Sequence, residues 1–244
     1  MRAATVAMAP GSEQIMTSVM LAGTREAVSG GTESGHPVGD FLNLGLQVPG
    51  PLPSALAPRA FARSATDLCL LFKLPAGALA LLDDSPAVGE ALERFVAGGH
   101  LAEARRLLAH ALEKREAVWW AYLSAREAIR HREVAPAHLA ALDAALAWIR
   151  EPGDGRRARC REAIAPCGTT SMAGILCFAI WLSGGSVSPT PLRHVEPRPH
   201  LCGKLCATVV YLASVHFDAG RYRQYLRHFL SVGMEIARGA CPWE

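Results

Sequence analysis

From Ala60 to Leu182, hydrophobic positions recur at helical spacing, and the chain reads as one helix after another. Ser64 or Thr66 is placed to cap a first helix running through Asp67, Leu68, Leu71 and Phe72. Ser85-Pro86 opens the next, with proline at the first helical position. Val88, Leu92, Phe95 and Val96 form its apolar face, and Gly98-Gly99 stops it. Leu101, Ala104, Leu107, Leu108, Ala111 and Leu112 make a further stripe. Around residues 115–130, Val118, Tyr122, Ala125 and Ile129 share a face, which Trp119 and Leu123 widen on one side and Trp120 on the other. Every position from Ala117 to Leu123 is apolar. A helix apolar around its whole circumference is packed by neighbours on more than one side, so this one is predicted at the centre of the fold.

Pro136 opens another helix with Leu139, Leu142, Leu146 and Ile149 inward, stopped at Pro152-Gly153. A short basic helix is predicted over 156–165. Thr169 or Thr170 starts the next, which carries Ile175, Phe178, Ile180 and Trp181 to a stop at Gly184-Gly185. Residues 184–199 contain Pro189, Pro191, Pro197 and Pro199 and read as an extended connector. Residues 200–240 read as an antiparallel helical hairpin about Asp218-Ala219-Gly220 that packs on the main domain, with Tyr225, Phe229, Val232 and Ile236 as the stripe of its second helix. No segment alternates with the two-residue period of a half-buried strand. The expected fold is all-α, either a multi-helix bundle or a short solenoid-like array of helical hairpins. Residues 60–183 form its main domain. Residues 1–59 are rich in Gly, Pro, Ser and Thr and read as a flexible tail.

Composition narrows the function classes. Half of the 244 residues are hydrophobic and 19% are charged, enough apolar matter for a buried core. Lys and Arg total 25 against 22 Asp and Glu, a net charge of +3, which lacks the basic excess of a dedicated nucleic-acid binder. Only Lys73, Lys114 and Lys204 are lysines; so strong an arginine preference reads first as coding bias. The 7 cysteines are odd in number and form no C-x-x-C pair, which points to a reducing, cytoplasmic setting. The longest apolar run, Met172 to Leu182, is shorter than the roughly 20 residues of a membrane span, so no membrane insertion is expected.

Three clusters invite chemistry. His200, Cys202 and Cys206 could begin a zinc site, but the second ligand pair is missing and both cysteines fall on an apolar stripe, so core packing is the preferred reading. Arg156, Arg157, Arg159 and Arg161 form one basic group and Arg221, Arg223 and Arg227 another; solvated helix faces are the default for such groups. His110, Glu113, Lys114, Arg115 and Glu116 form a dense polar cluster before the tryptophan pair. A general base is conceivable there, but no nucleophile or oxyanion site stands at a defined spacing, and charges satisfying helix ends are the simpler account. No phosphate-binding, dinucleotide, zinc-protease or serine-hydrolase motif occurs. The reading therefore assigns no catalytic residue, no metal and no cofactor.

The run from His110 through Glu113-Lys114-Arg115-Glu116 to Trp119-Trp120-Ala121 resembles an uncharacterised bacterial family of helical proteins. So do Trp181-Leu182-Ser183-Gly184-Gly185-Ser186, Pro199-His200-Leu201, Arg221-Tyr222-Arg223 and Ile236-Ala237-Arg238-Gly239. The chain departs from the family pattern at Glu113, where proline is usual, and at Cys202-Gly203-Lys204. The resemblance covers residues 60–240 and implies a family of unknown function associated with type VI secretion loci. The expected role is a non-enzymatic, cytoplasmic adaptor or chaperone-like accessory that binds a protein partner. Lys114, Arg115, Glu116 and Trp120 are the candidate contact residues, since tryptophan and arginine are enriched at interface hot spots. The alternatives are an enzyme or toxin-type effector, with His110, Glu116 or other polar groups converging in a deep pocket, or a structural subunit of a larger assembly.

Overall fold

The computed structural model describes residues 64–130, 132–188, 193–217 and 219–239. Among them are ten α-helices and no strand; an isolated antiparallel bridge joins Ser64 to Ala87. The expected all-α class is the observed one. The tail expected over 1–59 and Cys241 lie outside the described residues.

The first helices are short. Ser64 caps α1 (Ala65–Cys69) by accepting from the Asp67 amide, as expected, but the helix stops before Leu71 and Phe72. Leu70 and Leu71 are left exposed. α2 (Ala76–Leu79) continues into a 3-10 turn. Pro86 does not open α3 (Val88–Ala97). Ser85 takes a positive φ of 53°, Ala87 is the N-cap, and the Pro86 carbonyl accepts from the Ala65 amide. The chain therefore makes a pairing with α1 where the sequence suggested a first helical turn. Arg94 holds this end together by bonding both Asp84 oxygens, Glu90 and the Leu81 carbonyl, and its guanidinium holds the Asp84 carboxyl below the usual range.

The long helices follow the pattern closely. In α4 (Leu101–Ala111), Leu101, Ala104, Leu107, Leu108 and Ala111 are buried, and Leu112 beyond it is too. α5 (Lys114–Ile129) buries Ala117 through Tyr122 without a gap. It is packed by α6 (Pro136–Arg150), α8 (Met172–Trp181), α9 (His200–Phe217) and α10 (Tyr222–Ala237). This is the central placement that an all-round apolar helix requires. α7 (Asp154–Cys167) is longer than the expected basic helix and packs on α6 and α8.

Four expectations shift. Leu139 is exposed (39%) and Leu146 half-buried, because α6 turns Trp148, Ala141 and Ala145 inward beside Leu142 and Ile149. Ser171, not Thr169 or Thr170, caps α8, its hydroxyl accepting from the Gly174 amide at 3.0 Å. On α10 the buried stripe is Leu226, Phe229, Leu230, Gly233, Ile236 and Ala237, and Tyr225 and Val232 lie at its margin. Glycine marks the line of closest approach there, which a count of large apolar residues overlooks. Finally, α9 and α10 are turned by 118° at their break, so they cross obliquely and do not run antiparallel.

Six cysteines are buried and free. Cys202 and Cys206 lie within the core, and among the described residues no group of three or more His, Cys, Asp or Glu could hold a metal ion. Burial pushes the Cys69 thiol up to about 11, away from the reactive thiolate. No single described helix is long and apolar enough to cross a membrane; only the bent α9–α10 pair taken together has the length and apolar composition of a span.

Candidate functional site

The residues predicted to contact a partner sit on the first two turns of α5, and they are occupied in holding the fold. Glu116 accepts from the Glu113 amide at 3.0 Å, which satisfies one orphan donor at the helix start. Burial raises the Glu116 pKa, and the neighbouring Glu113 charge adds to this. Arg115 spans to the end of α6, donating to the Ile149 carbonyl at 2.6 Å and the Arg150 carbonyl at 2.7 Å. Lys114 donates to the Ser183 carbonyl, just past α8, at 2.7 Å. Arg115 thus satisfies terminal carbonyls of α6 that have no intrahelical partner and complements that helix dipole, while Lys114 ties down the turn after α8.

Trp120 is no surface residue. It is fully buried, and its Nε1 donates to the Phe229 carbonyl at 2.7 Å. Trp119, also buried, stacks on Tyr122 with centroids 5.6 Å apart. Trp120 belongs to the core because α10 closes over it.

The other sequence motifs are explained in the same way. Gly185 has φ +60°, and the space a side chain would need is filled by the Arg157 guanidinium. Arg157 pairs with Asp154 at 3.0 Å and lies over the Trp181 ring, which Arg161 also covers. The basic group on α7 is thus partly a seat on Trp181 and not a free stripe; Arg156 pairs with Glu151. Gly203 lets α9 approach the Ala109 carbonyl and the His110 ring. Arg223 donates to the Gly99 carbonyl at 3.1 Å, tying α10 to the α3–α4 turn. The motifs that looked functional are the points where helices are fastened to one another.

A groove lies elsewhere, beside the α5–α6 turn. Two adjoining cavities, of about 350 and 660 Å³, share Ile129, Arg132 and Val134. Neither is lined by His110, Glu113 or Glu116. The larger cavity has an apolar floor of Ala125, Ile129, Leu142, Met172, Ala173, Leu212 and Val215, from α5, α6, α8 and α9. The smaller carries Arg126, Arg130 and Arg132 around Leu123 and the exposed Leu139. Glu127 is buried beneath them, 3.9 Å from Arg130. Arg132 donates to the His216 carbonyl at 3.1 Å. Burial, and then the Arg132 charge, hold the His216 ring below the usual histidine value. His138 Nε2 donates to the Cys167 carbonyl at 3.2 Å. The lowered His216 leaves the arginines to carry the positive charge of this rim.

The sequence carries one signal for this groove. Arg126, Arg130 and Arg132 crowd the end of a helix whose other face is core, and Leu139 begins the next one. The spacing of Leu139 alone fits a core position, and cations are ordinary at a helix C-terminus, so neither feature by itself marks a groove.

A family described as a family of unknown function, DUF6931, matches residues 91–237, more than half of the chain. The chain belongs to this DUF6931 family. The match begins at Ala91 in α3 and ends with Ala237, the last residue of α10. It takes in the motifs of α5, α8 and α10 and both walls of the groove, and leaves out α1 and α2. No curated protein and no solved structure matches the chain. Membership of DUF6931 brings no activity with it, so the groove has to be read from its own chemistry.

Proposed function

We propose that this chain is a non-enzymatic adaptor or chaperone-like accessory protein. It acts in the bacterial cytoplasm, holds a protein partner in the groove beside the α5–α6 turn, and serves a type VI secretion apparatus. The observation that carries the binding role is the larger cavity. Its apolar floor, drawn from four helices and edged by polar groups, has the character of a helix-in-groove site. The exposed Leu139, on the adjoining smaller cavity, adds apolar surface that the fold itself does not use. The secretion setting rests on the sequence motifs that carry the family resemblance. The contact surface moves from Trp120, which is enclosed, to the groove.

In-cell photo-cross-linking tests this. A cross-linking side chain at Leu139 captures a component of the secretion apparatus, whereas the same group at the exposed Glu93 on α3 does not. Capture from neither position, or equally from both, overturns the reading.

A further inference from the structure

Resting on that reading, we propose that the occupant is an acidic amphipathic segment of the partner. Its apolar side chains fill the groove, and its carboxylates meet Arg126, Arg130 and Arg132. Two features of the same place require both properties at once. The floor is apolar and concave, so its occupant must supply apolar side chains to displace water from it. The adjoining rim gathers three guanidiniums within the last turn of α5 and the loop after it. Two carboxylates share the lining, Glu127, turned toward Arg130, and Glu133 on the larger cavity beside Arg132, against these three arginines. Among the described residues neither Arg126 nor Arg132 is ion-paired. Arg132 is anchored by the His216 carbonyl, which fixes its guanidinium at the wall the two cavities share.

Arginine presents a planar fork that matches a carboxylate with two parallel hydrogen bonds. A nucleic acid or a lipid headgroup would also answer the arginines. Neither uses a concave apolar floor bounded by four helices, so an acidic peptide satisfies more of the site. In such an interface the apolar contacts hold the partner, and the rim charges select its sign and speed its arrival.

The test uses the full chain and two fluorescent peptides of about 18 residues, long enough to form a helix on binding. Both carry leucine at i, i+3, i+4 and i+7. One has glutamate at its polar positions and the other has lysine. The acidic peptide is expected to bind at least about tenfold more tightly, and the advantage to shrink as salt shortens the screening length. Arg126→Glu with Arg130→Glu should reverse the preference, while Arg227→Glu on α10, away from the groove, should leave it unchanged. The reversal is a gain of binding for the lysine peptide, so a variant that merely unfolds cannot produce it.

Equal binding of the two peptides, binding of neither, or an arginine-dependent affinity only for phosphatidylserine vesicles overturns the proposal. The adaptor reading fails separately. Cross-linking at Leu139 without any acidic preference removes the acidic partner and keeps the groove, whereas loss of cross-linking removes the groove as well.

Discussion

Gly233 sits in the middle of α10, where replacing glycine by alanine ordinarily stabilises a helix by about 1 kcal/mol. Here the opposite is expected. An added Cβ would stand 2.7 Å from Leu108 Cδ2 and 2.8 Å from Trp120 Cε2 and Nε1. Carbon atoms in contact rest at about 3.5–4.0 Å, so something must move by roughly 1 Å. The leucine methyl can rotate away. The indole cannot, because it is fully buried and bonded to the Phe229 carbonyl, which belongs to α10 itself. If α10 retreats to make room, it stretches that bond. Overpacking costs about 1–3 kcal/mol and a weakened buried hydrogen bond about 1 more. Set against the helix gain, Gly233→Ala is expected to destabilise by about 1–3 kcal/mol. Urea unfolding followed by circular dichroism reads this as a lower midpoint at unchanged slope. Gly155→Ala is the control, since a Cβ there meets nothing within 4 Å, and it should be neutral or mildly stabilising. In the Trp120→Phe background the struck edge of the indole is gone, and the cost of Gly233→Ala should fall by about 1 kcal/mol. If Gly233→Ala stabilises as Gly155→Ala does, or if its cost is the same in both backgrounds, the close approach of α10 to Trp120 is wrong.

Two further outcomes test the fastening residues. Gly185→Ala combines a left-handed backbone with displacement of the Arg157 guanidinium, and should cost about 2 kcal/mol in thermal or urea unfolding. A neutral result would remove Arg157 from that seat. Glu116→Gln keeps an acceptor for the Glu113 amide and removes a charge that burial disfavours. Because the folded pKa is raised, the stability this side chain contributes is present below the ordinary glutamate value, about 4.3, and is lost as pH rises through the folded pKa. The glutamine variant should therefore match or exceed the native chain at pH near 7 and lose that advantage below about pH 4. The reverse trend in urea unfolding at the two pH values would contradict it.

Helix positions and the central place of α5 were legible from spacing alone, because a helix buries whatever recurs on one side of it, and the seven-residue apolar run left α5 no polar side to show water. The Ser64 cap and the Gly98 stop were legible too, since both are local backbone chemistry. What the sequence could not rank was competition between neighbours. Ser171 prevailed over two threonines as a cap, and Pro86 gave its carbonyl to α1 and did not begin α3. The function of each polar motif lay further out of reach. Lys114, Arg115 and Trp120 find their partners 69, 34 and 109 residues away, and no spacing rule anticipates which carbonyl lies there. The groove is likewise a product of assembly. Its floor comes from four helices and its arginines from the end of one, so only the packing of α5, α6, α8 and α9 places an apolar hollow beside a cationic rim. Periodicity is a property of one helix at a time, whereas a cavity is what remains between several.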